Sequence, residues 1–109
     1  MKESFGQFIR KARCEKKFTL TELAAKLKMD SANLSKVETG KREFDEKRLG
    51  LLAKAINYDY LVLKQEFLSD QVAKKLYLSE DYNQILHLAE DKIKYYIQQN
   101  TKQGKLIIE

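Results

Sequence analysis

The sequence has 109 residues, an apolar fraction of 43% and a formal net charge of +5. This apolar content is enough for a packed core and excludes general disorder, and the length suits one compact domain with a short extension. Proline is absent and there are four glycines, so residues that end helices or form tight turns are few. We therefore expect an all-α fold in which helices are joined by short connections.

The positive charge is concentrated in the first half of the chain. Residues 1–50 contain nine lysines and four arginines against eight acidic residues, whereas residues 51–109 contain eight lysines, no arginine and eight acidic residues. A basic N-terminal half favours a polyanionic partner for that half. The neutral half is expected to have a different role.

The composition also predicts where the protein acts and which chemistry it lacks. The N-terminus has no apolar run typical of a signal peptide, and no segment approaches the roughly 18 apolar residues of a membrane span. We therefore expect a cytoplasmic protein without membrane association. The sequence contains no glycine-rich phosphate loop and no nucleophile motif. The single histidine, His87, and the single cysteine, Cys14, have no neighbouring residues with the spacing of metal ligands. These absences predict that the protein is not an enzyme and has no metal or cofactor.

Capping residues divide the chain into predicted helices. In chain order, the candidate N-terminal capping residues are Ser4, Thr19, Asp30, Asp45, Asp59, Ser69 and Ser79. Ser4 and Thr19 are followed three residues later by Gln7 and Glu22, so each pair can form a capping box. Gly40 is expected to end the third helix.

The last predicted helix, from about residue 80 to residue 100, carries an apolar stripe with a seven-residue repeat. The stripe consists of Tyr82, Leu86, Ala89, Ile93, Tyr96 and Asn100. Gly104 should end the helical pattern and leave a short apolar tail, residues 105–109, whose role is open. We predict a five-helix domain over residues 1–66 and a helical extension over residues 67–109.

Residues 18–42 form two short predicted helices joined by a tight turn, which is the helix-turn-helix arrangement. When residues of the third helix are placed at 100° steps, Leu34, Val37 and Glu38 share one side. The opposite side carries Ala32, Ser35, Lys36 and Thr39. This outer side is small, polar and basic, which suits insertion into the major groove of DNA.

The same segment resembles the lambda-repressor-like (XRE/Cro) family of helix-turn-helix transcriptional regulators. The residues that match the family pattern outright are Phe18, Thr19, Glu22, Leu23, Ala24, Lys26, Leu27, Ser35, Glu38, Gly40 and Lys41. With the flanking helices, the resemblance covers about residues 4–66. Three residues depart from the pattern: Leu20 replaces a glutamine, Thr39 replaces an asparagine, and Lys28 replaces the turn glycine. Lys28 must therefore adopt a left-handed conformation.

The resemblance implies roles for individual residues. DNA bases would be contacted by Ser31, Ala32, Asn33, Ser35 and Lys36. DNA phosphates would be contacted by Thr19, Leu20, Thr21, Thr39, Lys41 and Arg42, with Leu20 contributing only its backbone N–H. Arg13 and Glu38 match the internal ion pair of the family, which is structural.

The stripe formed by Tyr82, Leu86, Ala89, Ile93 and Tyr96 has two interpretations. It can pack against the five-helix body, or it can form a dimer interface, which we favour because helix-turn-helix proteins generally read two half-sites.

The sequence therefore predicts a homodimeric, sequence-specific regulator, such as a repressor, bound to a palindromic operator in double-stranded DNA. Residues 31–39 would be the recognition helix in the major groove. No small-molecule effector is evident, and the architecture resembles the controller proteins of restriction-modification systems. The alternative is an antitoxin-like module whose C-terminal half binds a partner protein.

Overall fold

The computed structural model describes residues 3–102, and these residues form helices and no strand. The helices are α1 (Phe5–Glu15), α2 (Leu20–Lys26), α3 (Ser31–Glu38), α4 (Leu49–Ala55), α5 (Tyr60–Leu76) and α6 (Tyr82–Lys102). A short 3-10 turn, Glu46–Arg48, leads directly into α4. The predicted all-α class is confirmed. The predicted helix end at Gly104 and the tail over residues 105–109 lie outside the described residues.

The capping residues predicted for the first helices are confirmed. Ser4 Oγ accepts the N–H of Gln7 at 3.2 Å, and Thr19 Oγ1 accepts the N–H of Glu22 at 3.0 Å. The side chains of Gln7 and Glu22 return a hydrogen bond to the capping backbone, which completes both capping boxes. Asp30 caps α3 by accepting the free N–H of Ala32 at 2.9 Å. Asp59 caps α5 in the same way, by accepting the N–H of Leu61 at 2.9 Å.

Three predicted helix starts differ from the structure. Asp45 caps the 3-10 turn, so α4 begins only at Leu49. Ser69 starts no helix, because α5 runs through it and its hydroxyl donates to the carbonyl of Glu66 at 3.2 Å, a bond that a helix interior accommodates. Ser79 lies in the connection between α5 and α6, and α6 begins three residues later at Tyr82.

The helices α1 to α4 all end in the same type of turn. In each, the residue after the C-cap has a positive φ; these residues are Lys17, Lys28, Gly40 and Asn57. At the end of α2, the N–H groups of Lys28 and Met29 donate back to the carbonyls of Ala25 and Ala24, at 3.2 and 3.0 Å, which is the Schellman pattern. The predicted left-handed conformation of Lys28 is confirmed by its φ of 56°. This sharp end leaves only Met29 between Lys28 and the N-cap of α3.

A single apolar cluster holds α1 to α5 together. Seven of the largest fully buried side chains are aliphatic: Ile9, Leu23, Leu27, Leu34, Leu49, Leu52 and Leu63. Phe5, Phe44 and Phe67 meet beside them, with ring centroids 5.2 to 6.5 Å apart. Burial of one such side chain contributes about 1.5–3 kcal/mol, so this cluster is the main source of stability for the fold.

The chain divides into two compact units, residues 1–73 and residues 74–109. The first contains α1 to α4 and most of α5. The second contains the end of α5 and α6. None of the described helices is long and apolar enough to cross a membrane. The proposed domain boundary at residue 66 stays a prediction.

Candidate nucleic-acid interface

The recognition segment is built from α2, a turn over residues 27–30, and α3. Both α1 and α2 pack against α3. Asp30 accepts the N–H of Ala32, and its carbonyl accepts the N–H of Leu34 at 3.0 Å, so α3 begins at a defined place. These contacts hold a helix of eight residues that would be marginal in isolation.

The structure separates α3 into an inner and an outer face. Leu34, Val37 and Glu38 are buried. The residues predicted to contact DNA bases lie at the other positions: Ala32 and Lys36 are exposed, and Ser31, Asn33 and Ser35 are half-buried. The accessible surface of α3 therefore consists of short polar or methyl side chains and one cation, Lys36.

The residues predicted to contact phosphates lie in two groups, at the N-terminus of α2 and at or after the C-terminus of α3. Thr19, Thr21, Lys41 and Arg42 are exposed. The Leu20 side chain packs against the apolar core, which leaves its backbone N–H as the group that can reach a phosphate.

The remaining predicted phosphate contact, Thr39, already has an internal partner. Its hydroxyl donates to the carbonyls of Ser35 and Lys36, at 3.0 and 3.2 Å. Thr39 therefore completes the C-terminus of α3 in this structure, and its hydroxyl proton is engaged there.

The structure brings Arg13 and Glu38 together in a two-point ion pair. Arg13 Nε donates to Glu38 Oε2 at 2.8 Å, and Nη2 donates to Oε1 at 3.1 Å. The side chains are 13% and 4% exposed. The hydrogen bonds that Arg13 donates to Glu38 raise the pKa of Arg13 above its ordinary value although burial opposes this, so the guanidinium stays charged throughout the neutral range. A third bond, from Nη1 to the carbonyl of Phe18 at 3.0 Å, extends the link from α1 and α3 to the start of α2.

Comparison with known proteins establishes the family to which the chain belongs. Residues 9–63 match the helix-turn-helix family model, which is half of the chain. The chain belongs to the helix-turn-helix family. The predicted resemblance to its lambda-repressor-like (XRE/Cro) regulators is confirmed, and the five-helix arrangement that it implied is confirmed as well. The controller subtype is not part of the match and stays a prediction.

One solved structure with this fold is the clp gene regulator ClgR from Corynebacterium glutamicum. The two chains are 24% identical with a TM-score of 0.52, and the similarity covers 78% of this chain and 88% of that one. At this identity the likeness supports the fold. No curated protein matches the chain. Family membership makes the chain a DNA-binding protein of the transcription-regulator class.

Gly6 is a positioning residue that sequence reasoning missed. A Cβ atom at Gly6 would lie 2.2 Å from the carbonyl oxygen of Val37 and 3.1 Å from that of Glu38. The backbone of α1 therefore contacts the last turn of the recognition helix directly. The available signal was a glycine inside the first turn of a predicted helix, where it costs about 0.5–1 kcal/mol relative to alanine and thus has a packing reason.

Arg48 was also missed. Its guanidinium donates to the carbonyls of Leu27 and Lys28, at 3.0 and 3.1 Å, and to Asp45 Oδ2 at 2.6 Å. The first two groups belong to the turn between α2 and the recognition helix. Local sequence patterns give no sign of this contact, because the turn and Arg48 are about 20 residues apart.

The apolar stripe of α6 is solvent-exposed in the described chain. Tyr82, Leu86, Ile93 and Tyr96 are 42% to 62% exposed, and Ala89 between them is half-buried. A second apolar face, which the sequence analysis did not identify, lies on α5; it consists of Leu61, Leu68 and Val72. Exposed apolar surface that extends along a helix, as on α6, marks interaction sites.

Proposed function

We propose that the protein is a sequence-specific transcriptional regulator that binds a palindromic operator in double-stranded DNA as a homodimer. The recognition helix α3 lies in the major groove of each half-site. The observation that carries this proposal is the division of α3 into a locked inner face and an accessible polar outer face. The internal Arg13–Glu38 pair stabilises that orientation without using the outer face.

Sequence readout is assigned to the outer face of the recognition helix, from Ser31 to Lys36. Lys36 suits the O6 and N7 acceptors of guanine, Asn33 suits adenine, and the Ala32 methyl group suits the methyl group of thymine. The hydroxyl groups of Ser31 and Ser35 can form hydrogen bonds with the edges of several bases. Their partial burial limits the number of conformations that must be ordered upon binding.

Affinity for the DNA backbone is assigned to the groups that flank the helix-turn-helix. Lys41 and Arg42 follow the recognition helix directly and are exposed. Thr19 keeps its hydroxyl proton available, because the capping box uses its oxygen only as an acceptor. Contacts of this type position the protein on DNA and give affinity that falls as salt rises.

Two exposed cations are expected to give different results when they are removed. Lys36→Ala should cost about 1–3 kcal/mol at one base position and relax the sequence preference there. Arg42→Ala should weaken binding to all duplexes by a similar factor and reduce the salt slope by about 1. The measurement is the Kd for the selected operator and for single-base variants across a salt series.

Lys54→Ala is the matched control, since Lys54 is an exposed cation on α4, outside the proposed interface. It should leave operator binding within about twofold of the wild type if only the proposed contacts matter. The assignment fails if Arg42→Ala alters the sequence preference and Lys36→Ala weakens all sequences equally.

The homodimer is assigned to the α6 stripe. The helix has 21 residues, a length of about 30 Å, and its seven-residue repeat keeps the apolar side chains on one seam along that length. Stable interfaces bury about 800 Å² on each partner, and a seam of large, half-exposed side chains is suited to supply it. A second copy of the same seam is the partner that this pattern favours.

Ile93→Glu should produce a monomer at concentrations at which the wild type is a dimer, because it places a charge at the centre of the seam. Gln98→Glu adds the same charge at an exposed position outside the seam and should remain a dimer. Sedimentation analysis gives the mass, and circular dichroism checks that both variants keep their helices. A dimeric Ile93→Glu protein would exclude the α6 seam, and a monomeric wild type with a stoichiometric partner protein would favour the antitoxin-like alternative.

A further inference from the structure

We propose that Arg48 determines sequence specificity indirectly, by fixing the turn from which the recognition helix begins. This inference rests on the proposed function. Arg48 lies at the end of the 3-10 turn, outside the helix-turn-helix, yet its guanidinium contacts the backbone of that motif at two successive carbonyls, those of Leu27 and Lys28. Arg48 is thus a positioning residue and needs no contact with DNA.

The two carbonyls lie at the C-terminal end of α2, where the recognition turn begins. Leu27 is the C-cap of α2, and Lys28 has a left-handed backbone that side-chain-bearing residues adopt at a cost. Carbonyls at a helix C-terminus lack intrahelical donors. Arg48 supplies both donors from one planar group, which fixes the orientation of two consecutive peptide units.

The clamped peptide lies immediately before the base-reading residues. Only Met29 separates Lys28 from the N-cap Asp30, and Ser31 and Ala32 follow. A change in the peptide orientation at Lys28 therefore changes the direction in which the first turn of the recognition helix points. Base readout depends on this direction, since hydrogen bonds to base edges need defined positions of the side chains.

Asp45 anchors the clamp at its other end. Its Oδ1 caps the 3-10 turn by accepting the N–H of Lys47 at 3.1 Å, while Oδ2 accepts from Arg48 Nη1. As an ion pair, this contact contributes little, because the two side chains are 34% and 46% exposed. Its effect is to orient the guanidinium toward the turn, which begins 18 residues before Asp45 in the chain.

The test compares operator affinity with affinity for an unrelated duplex of the same length. Arg48→Met keeps the length of the side chain and removes all donors. We expect the Kd for the selected operator to rise about tenfold, equivalent to about 1.4 kcal/mol, while the Kd for the unrelated duplex changes less than about twofold. Arg48→Lys keeps the charge but lacks the planar fork, so an intermediate loss is expected.

Two further observations separate positioning from general stability. Ile56 is buried at the end of α4, so Ile56→Val should lower stability without changing the turn. The ratio of the affinity for the operator to the affinity for the unrelated duplex should therefore stay the same. Backbone amide NMR signals of residues 28–33 should shift in Arg48→Met and stay in place in Ile56→Val.

An unchanged affinity ratio in Arg48→Met, or a ratio that falls equally in Ile56→Val, would overturn the inference. A wild type without any sequence preference would overturn the proposed function itself, and this inference with it.

Discussion

Replacing Gly6 with alanine is expected to lower the free energy of unfolding by about 3 kcal/mol or more. The added Cβ would lie 2.2 Å from the Val37 carbonyl oxygen. The oxygen is a backbone atom and the backbone of α1 fixes the position of the Cβ, so neither atom can rotate away. Overpacking of a rigid site costs about 1–3 kcal/mol and occasionally more. Helix propensity alone predicts that alanine raises the free energy of unfolding by about 0.5–1 kcal/mol. The direction of the measured change therefore distinguishes the steric overlap from helix propensity.

Gly50→Ala is the matched control for this prediction. Gly50 lies in α4, and a Cβ there would meet nothing within 4 Å. Alanine at this position should therefore raise stability by about 0.4–1 kcal/mol, through the helix and the unfolded chain. Urea unfolding of both variants supplies the comparison. A Gly6→Ala protein as stable as Gly50→Ala would show that α1 and the recognition helix are not in direct backbone contact.

Removing Arg13 is expected to have an effect of similar size. Arg13→Met leaves the Glu38 carboxylate, which is 4% exposed, without its two donors. Breaking a buried pair by removal of one partner typically costs about 3–5 kcal/mol. The loss should appear as a lower midpoint of thermal or urea unfolding. Operator binding should also weaken at temperatures at which the last turn of α3 unfolds locally.

Two variants show whether this loss comes from the pair. Arg10→Met removes an exposed arginine from the same helix and should change stability by about 0.5 kcal/mol at most. The double variant Arg13→Met with Glu38→Leu removes both charges and should recover most of the loss, because buried pairs are often replaceable by apolar groups. A double variant as unstable as Arg13→Met would place the effect elsewhere, for example in the bond from Arg13 to the Phe18 carbonyl.

The predictable features of this protein are those that local sequence encodes. A capping box needs two residues three positions apart, so those at Ser4 and Thr19 could be identified directly. The left-handed Lys28 followed from its place in a motif that usually has glycine there. The inward direction of Glu38 followed from helical spacing, and the resemblance supplied Arg13 as its partner.

The features that escaped prediction depend on residues distant in sequence or on competition between local signals. Gly6 matters because of the carbonyl of Val37, and Arg48 matters because of Leu27 and Lys28, and no local pattern joins these positions. Ser69 carries a capping side chain, yet the helix continues through it, because the helix period of α5 is uninterrupted there and its hydroxyl can bond within the helix.

The most direct test of sequence-specific binding by a dimer is selection of binding sites from random duplex DNA, with the best site then measured across a salt series. We expect enrichment of a palindrome whose half-sites lie about 10 base pairs apart, since two recognition helices on one face of DNA are one helical turn apart. Affinity for that site should exceed affinity for unrelated DNA at every salt concentration. Weak, steeply salt-dependent binding with no enriched sequence would contradict the claim, because only the electrostatic attraction of a basic surface would remain.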